Sequence, residues 1–99
     1  MGLKLLGGGI IATTSGPHFE TPADIRALKL LGANLVSMTA APEVILSAES
    51  GLKISCVCIA SNYAAGISKK PLTFEEVMGV MKEREEQLKL LIESTIQSL

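Results

Sequence analysis

Nothing in the 99 residues approaches the roughly 20 consecutive apolar positions that a membrane-spanning helix needs. An excess of one charge is missing as well. Nine Lys and Arg stand against ten Asp and Glu, a net charge of −1, and the pI is near 5.8. That balance leaves no electrostatic footprint for nucleic acid or for an anionic membrane surface. Cys56 and Cys58 are the only cysteines and His18 is the only histidine. Strand alternation would turn both sulfurs to one side, yet neighbours along a strand are poorly placed to form a disulfide. With one histidine and no second cysteine pair, no metal site is expected. Repeats, low-complexity tracts and linkers are absent. Met1 to Leu6 has too little apolar length before Gly7-Gly8-Gly9 for a secretory leader, and Leu6 stands where myristoylation wants Ser or Thr. A reduced, cytoplasmic protein is the expectation.

What is present is apolar surface. Apolar residues make up 47% and charged residues 19%, with a mean hydropathy of +0.40, which excludes a disordered tail. A chain this short buries only about 60–65% of the surface its unfolded form exposes, so its own core is thin. The composition fits a single incomplete domain, residues 1–99, that finishes its burial against other protein.

Short apolar runs alternate with helical segments. Ile10 to Thr14 is β-branched and runs into the turn signal Ser15-Gly16-Pro17. Thr21-Pro22-Ala23-Asp24 reads as a helix start, with Thr21 as N-cap, Pro22 at the first position and an acid in the first turn. This helix should carry Ile25, Leu28 and Leu31 inward and stop at Gly32. Leu35 to Met38 reads as a strand, and Pro42 opens a helix from Glu43 to about Glu49, closed by Ser50-Gly51. Lys53 to Ala60 reads as a strand buried inside a sheet. A polar loop, Ser68 to Pro71, precedes a last helix with Thr73 and Glu76 as a capping box. Its apolar positions run from Phe74 to Ile96, interrupted by charge at Lys82 to Gln87, and it should be about 35 Å long. About three strands and three helices in alternation imply an α/β fold with at least part of the sheet parallel.

The most informative stretch is Gly16-Pro17-His18-Phe19-Glu20-Thr21-Pro22-Ala23-Asp24-Ile25-Arg26. Leu31-Gly32-Ala33-Asn34, Met38-Thr39, Pro42-Glu43-Val44-Ile45 and Ser61-Asn62-Tyr63-Ala64-Ala65-Gly66 follow it. In this order and spacing the blocks resemble the trimeric purine nucleoside phosphorylases, a class that includes the methylthioadenosine phosphorylases. The resemblance runs from about Ile10 to Leu91 and covers only the C-terminal part of that family's phosphorylase/hydrolase-like fold. It implies a pentosyltransferase of purine salvage. Such an enzyme cleaves a purine nucleoside with inorganic phosphate as co-substrate, without a cofactor, giving free base and ribose 1-phosphate. Charge builds on the departing purine, and hydrogen bonds that strengthen with it lower the barrier.

The resemblance places Glu20 and Asn62 at the catalytic, base-holding positions. Glu20 would accept from the N1–H of a 6-oxopurine, and Asn62 would donate to N7 and meet O6. Relatives that take 6-aminopurines resemble a different pattern, with Asp at the Asn62 position and a small residue at the Glu20 position. From the residues alone, Glu20 could equally serve the dipole of the following helix and Asn62 could merely shape a turn. By resemblance, Phe19 lies on the purine face, Met38 beneath the ribose, Ser61 in the base pocket and Thr39 on phosphate. His18 and Tyr63 receive no role.

Three departures qualify the match. Phe74 stands where many of these enzymes hold the ribose 5′-hydroxyl with His, and an aromatic there favours an apolar 5′ group such as methylthio. Ser37 replaces a glycine in the substrate pocket. The serine loop, arginine and histidine that bind phosphate in the family have no counterpart here, so phosphorolysis by this chain alone is not expected. Three readings remain. One is an enzyme part that works with a complementary N-terminal chain or was cut from a longer gene product; another is a non-catalytic remnant that self-associates as a homo-oligomer and binds purine weakly or not at all; the third is a compact, degraded gene product.

Overall fold

The computed structural model describes residues 5–70 and 73–99. Residues 1–4, weighed above as part of a leader, and Pro71 of the polar loop lie outside them. The order is β1 (Ile11–Thr13), α1 (Pro22–Leu30), β2 (Leu35–Ser37), α2 (Ala40–Glu49) and α3 (Phe74–Gln97). It is an α/β arrangement, as the alternation implied.

Strands β1 and β2 pair in parallel, with Ile11 opposite Leu35, Ala12 opposite Val36 and Thr13 opposite Ser37. Side chains and flanking backbone lengthen this short ladder. The Asn34 carboxamide oxygen accepts from the Ile10 N–H at 2.8 Å, and at the other end Thr14 N–H donates to the Ser37 carbonyl at 2.9 Å. Parallel neighbours require a crossover, and α1 supplies it.

Helix α1 starts as its sequence dictates. The Thr21 hydroxyl accepts from Asp24 N–H at 3.2 Å, and the Asp24 carboxylate accepts from Thr21 N–H at 2.9 Å. Two otherwise orphaned donors are thereby satisfied. Ile25 faces inward at 6% exposure, the one buried apolar side chain among the described residues. Leu28 is half-buried. Leu31, expected inward, is exposed because it is the C-cap residue beyond the last helical turn.

Helix α2 begins at Ala40, three residues before the expected Glu43. Its second residue, Ala41, donates to the Thr13 hydroxyl at 3.1 Å, so the end of β1 supplies an acceptor that local sequence does not show. Pro42 fits in the first turn, where its missing N–H has no intrahelical partner to lose. In α3, Thr73 accepts from Glu76 N–H at 3.2 Å, the forward half of the expected box. Val77, Leu88 and Leu91 are half-buried, whereas Phe74, Met78, Ile92 and Ile96 are exposed.

The expected third strand does not form: Lys53 to Ala60 carries no ladder, and the sheet has two strands. A strand inside a parallel sheet needs a partner at each edge and cover on both faces. Ile54 and Val57 instead remain about half exposed (45% and 51%). The same shortage of cover holds for the whole chain. Its accessible surface is 8362 Å², against about 5,400 Å² for a compact monomer of this mass. Roughly 45% of the unfolded surface is buried, short of the 60–65% expected from length. The radius of gyration, 15.3 Å, likewise exceeds the about 13 Å of a compact domain this long. Among the described residues no helix is long and apolar enough to cross a membrane.

Candidate functional site

Ligands of open α/β sheets gather beyond the carboxyl ends of the strands. Here those ends hold Thr13, Thr14, Ser37, Met38 and Thr39. The Thr14 hydroxyl donates to Glu20 Oε1 at 2.6 Å across the turn that leaves β1. Thr14 is in turn fixed by its N–H to the Ser37 carbonyl. Glu20 is therefore tied to the ends of both strands and is half-buried. Oε1 is engaged, and Oε2 is the oxygen that can accept from a ligand N–H.

Met38 lies against the same turn. Its Sδ sits 3.1 Å from where a Cβ on Gly16 would be, and Gly16 has φ +63°. The backbone conformation favours glycine there, and a Cβ would also crowd the thioether. Ser37 and Thr39 form a local pair, with Thr39 N–H donating to Ser37 Oγ at 3.2 Å and the two hydroxyls 3.4 Å apart. They line a cleft of about 230 Å³ with Glu43, Cys56 and Cys58. Glu20, Ser37, Met38 and Thr39 thus share one end of the sheet.

Asn62 and Ser61 line a second, open cleft of about 910 Å³, between α1, the Cys58–Ala64 segment and the start of α3. The Ser61 hydroxyl donates to Asn62 Oδ1 at 2.7 Å, and Asn62 Nδ2 donates to the Tyr63 carbonyl at 3.0 Å. The oxygen of the carboxamide is thereby turned to Ser61, and the second hydrogen on Nδ2 is the one left to donate. Just beyond this segment Gly66 passes close to the start of α1: its φ is +80° and a notional Cβ on it would fall 2.9 Å from Pro22 Cβ. Glu20 lines neither of the two clefts, while Cys58 lines both. Phe19 and Phe74 line neither and are 76% and 75% exposed. His18 Nδ1 lies 2.8 Å from the Phe19 carbonyl at the surface.

The bonds of Thr14 to Glu20 and of Thr13 to Ala41 are placements that sequence reasoning missed. The one trace of them is the Thr-Thr pair at the end of the first β-branched run. Asp24, beside the site, is held below the usual carboxylate range by the Thr21 backbone N–H, then by the Thr21 hydroxyl. Burial, with a smaller push from Cys56, raises the Cys58 thiol.

Comparison with known proteins now adds to this geometry. The chain is 44% identical over 96 residues to a probable 6-oxopurine nucleoside phosphorylase of Moorella thermoacetica, an alignment covering 97% of this chain and 37% of the relative. It is 41% identical over 92 residues to a probable S-methyl-5′-thioinosine phosphorylase of Methanothermobacter thermautotrophicus, covering 93% and 33%. To the 6-oxopurine nucleoside phosphorylase of Pyrococcus furiosus it is 43% identical over 96 residues, covering 97% and 36%. The chain spans about a third of the length of the curated relatives it matches. The sequence profile of the Phosphorylase superfamily aligns with residues 2–97. With nearly every residue inside that alignment and the parallel β1–α1–β2 unit in place, this chain belongs to the phosphorylase superfamily.

Proposed function

We propose that the chain is the C-terminal, base- and ribose-binding part of a purine nucleoside phosphorylase specific for 6-oxopurine nucleosides or 5′-methylthioinosine, and that it is inactive alone. The supporting observation is the carboxylate of Glu20, fixed through one oxygen by Thr14 with the other left to accept. An acceptor suits the N1–H that a 6-oxopurine has and adenine lacks. Asn62 supplies the amide for N7 and O6, Met38 packs on the sugar, Thr39 bonds phosphate, and Phe74 favours an apolar 5′ substituent. In the 99-residue chain Glu20 and Asn62 border different regions. Productive closure around one purine is therefore assigned to the assembly with the rest of a phosphorylase fold, which also brings the phosphate-binding groups.

The test is phosphorolysis of inosine and 5′-methylthioinosine by the 99-residue chain, with and without the product of the coding region just upstream. Turnover is expected only with that product. Full turnover by the chain alone would refute the reading. Calorimetric titration should favour hypoxanthine over adenine, and equal or adenine-biased binding would count against the assignment of Glu20 and Asn62.

A second reading is favoured by the roughly 3,000 Å² of surface above that of a compact monomer. It makes the chain a self-associating, non-catalytic module that covers its own open face. Sedimentation would separate the two readings: a folded monomer at high concentration removes this one.

A further inference from the structure

Helix α3 has two apolar sides that differ in cover. Val77, Val80, Leu88 and Leu91 are half-buried on one of them. Met78, Met81, Ile92 and Ile96 are 37% to 64% exposed. At about 100° per residue these four fall within about 60° of one another, about a quarter-turn from the half-buried side. Glu85 is the one charge on this stripe, and its Oε1 lies 3.4 Å from Lys89 Nζ. We infer that the Met78–Ile96 stripe docks against the same stripe of a second copy of this chain, the two helices running antiparallel.

The spacing of the stripe points to that occupant. Two copies of one helix can pair about a twofold axis, so that each contact occurs twice. An axis between Glu86 and Gln87 sets Met81 opposite the partner's Ile92 and Met78 beside the partner's Ile96. Apolar residues then meet apolar residues at both ends of the seam. In the middle, Glu85 comes level with the partner's Lys89, and its charge is met by the opposite one. A parallel pair in register would bring the two Glu85 carboxylates together, and a polar position in a seam selects against such a register. The area is sufficient as well. A stable dimer takes about 800 Å² from each partner, and the chain carries roughly 3,000 Å² more surface than a compact monomer of its mass. The inference rests on the self-association reading above only for the identity of the partner; the face and the orientation are additional.

The experiment is sedimentation equilibrium of the parent, Met81→Glu, Ile92→Lys and the double variant. The parent should dimerise. Each single variant sets an unpaired charge against an apolar side chain and should weaken dimerisation about tenfold or more. Carried in one chain, the two substitutions bring opposite charges together across the antiparallel seam. The double variant should therefore associate more tightly than either single one. Within one helix the two positions are about 16 Å apart along the axis, so this rescue reads contacts between copies. Both positions are exposed and Glu and Lys are good helix formers, so far-ultraviolet circular dichroism at low concentration should match the parent. A monomeric parent would overturn both the self-association reading and this inference. A parent that associates while all three variants do so equally well would keep that reading and overturn the face assigned here. A double variant weaker than either single one would overturn the antiparallel orientation. If the parent stays monomeric and binds the upstream product through Met81 and Ile92, the stripe belongs to that product and the proposal falls.

Discussion

Urea unfolding offers a direct reading of how little this chain buries. The slope of stability against denaturant scales with the surface exposed on unfolding. A compact protein of this mass would expose about 9,700 Å², the difference between its unfolded and folded surfaces. With a folded surface of 8362 Å², the present chain would expose only about 6,700 Å². The slope should therefore be about 0.7 of that typical for its length. The assay is far-ultraviolet circular dichroism across a urea series at several chain concentrations. If the open face is covered by other copies, the midpoint will rise with concentration and the slope will approach that of a compact domain. A full-sized slope at low concentration, with a midpoint independent of concentration, would refute the reasoning. It would mean that the isolated chain covers its own apolar surface.

Three further outcomes are expected. Thr14→Val removes the hydroxyl that fixes Glu20 while keeping the shape; in the assembly with the upstream product, hypoxanthine affinity should fall about fivefold, near 1 kcal/mol, with adenine affinity unchanged, as read by calorimetry. Gly66→Ala meets a positive φ and a Cβ contact of 2.9 Å with Pro22. It should destabilise the chain by more than about 1 kcal/mol, visible as a lower urea midpoint. Acid titration should weaken the start of α1: Asp24 has a folded-state value below its ordinary 3.8. Its contribution is complete above that ordinary value and is lost as pH falls through the lower folded one. Helicity measured from pH 5 downward should show this loss in the parent and not in Asp24→Asn.

The elements whose causes are local were legible in the sequence. Thr21, Pro22 and Asp24 announce α1 within four residues, and Thr73 with Glu76 marks the start of α3. Where a partner lies far along the chain, the pattern gave too little. Ala40 begins α2 because Thr13, 28 residues earlier, accepts from Ala41. Lys53 to Ala60 has the composition of a buried strand, but strand formation depends on edges and layers that composition cannot supply. The site followed the same rule. The Met38–Thr39 block and Glu20 lie at the same end of the β1–β2 pair, whereas the bond from Thr14 to Glu20 was invisible. Asn62 stands in its own cleft because the chain between β2 and α3 is not drawn into the sheet.

Thr13 and Thr14 project in succession from one strand end, the first to the start of α2 and the second to Glu20. Slipping that strand by one position would exchange their directions. Such an error would strip a helix of its acceptor and leave the acid unmoored in the same event. The capping of α2 and the placement of Glu20 are thus coupled in one dipeptide, so a chain paired out of step would lose both together.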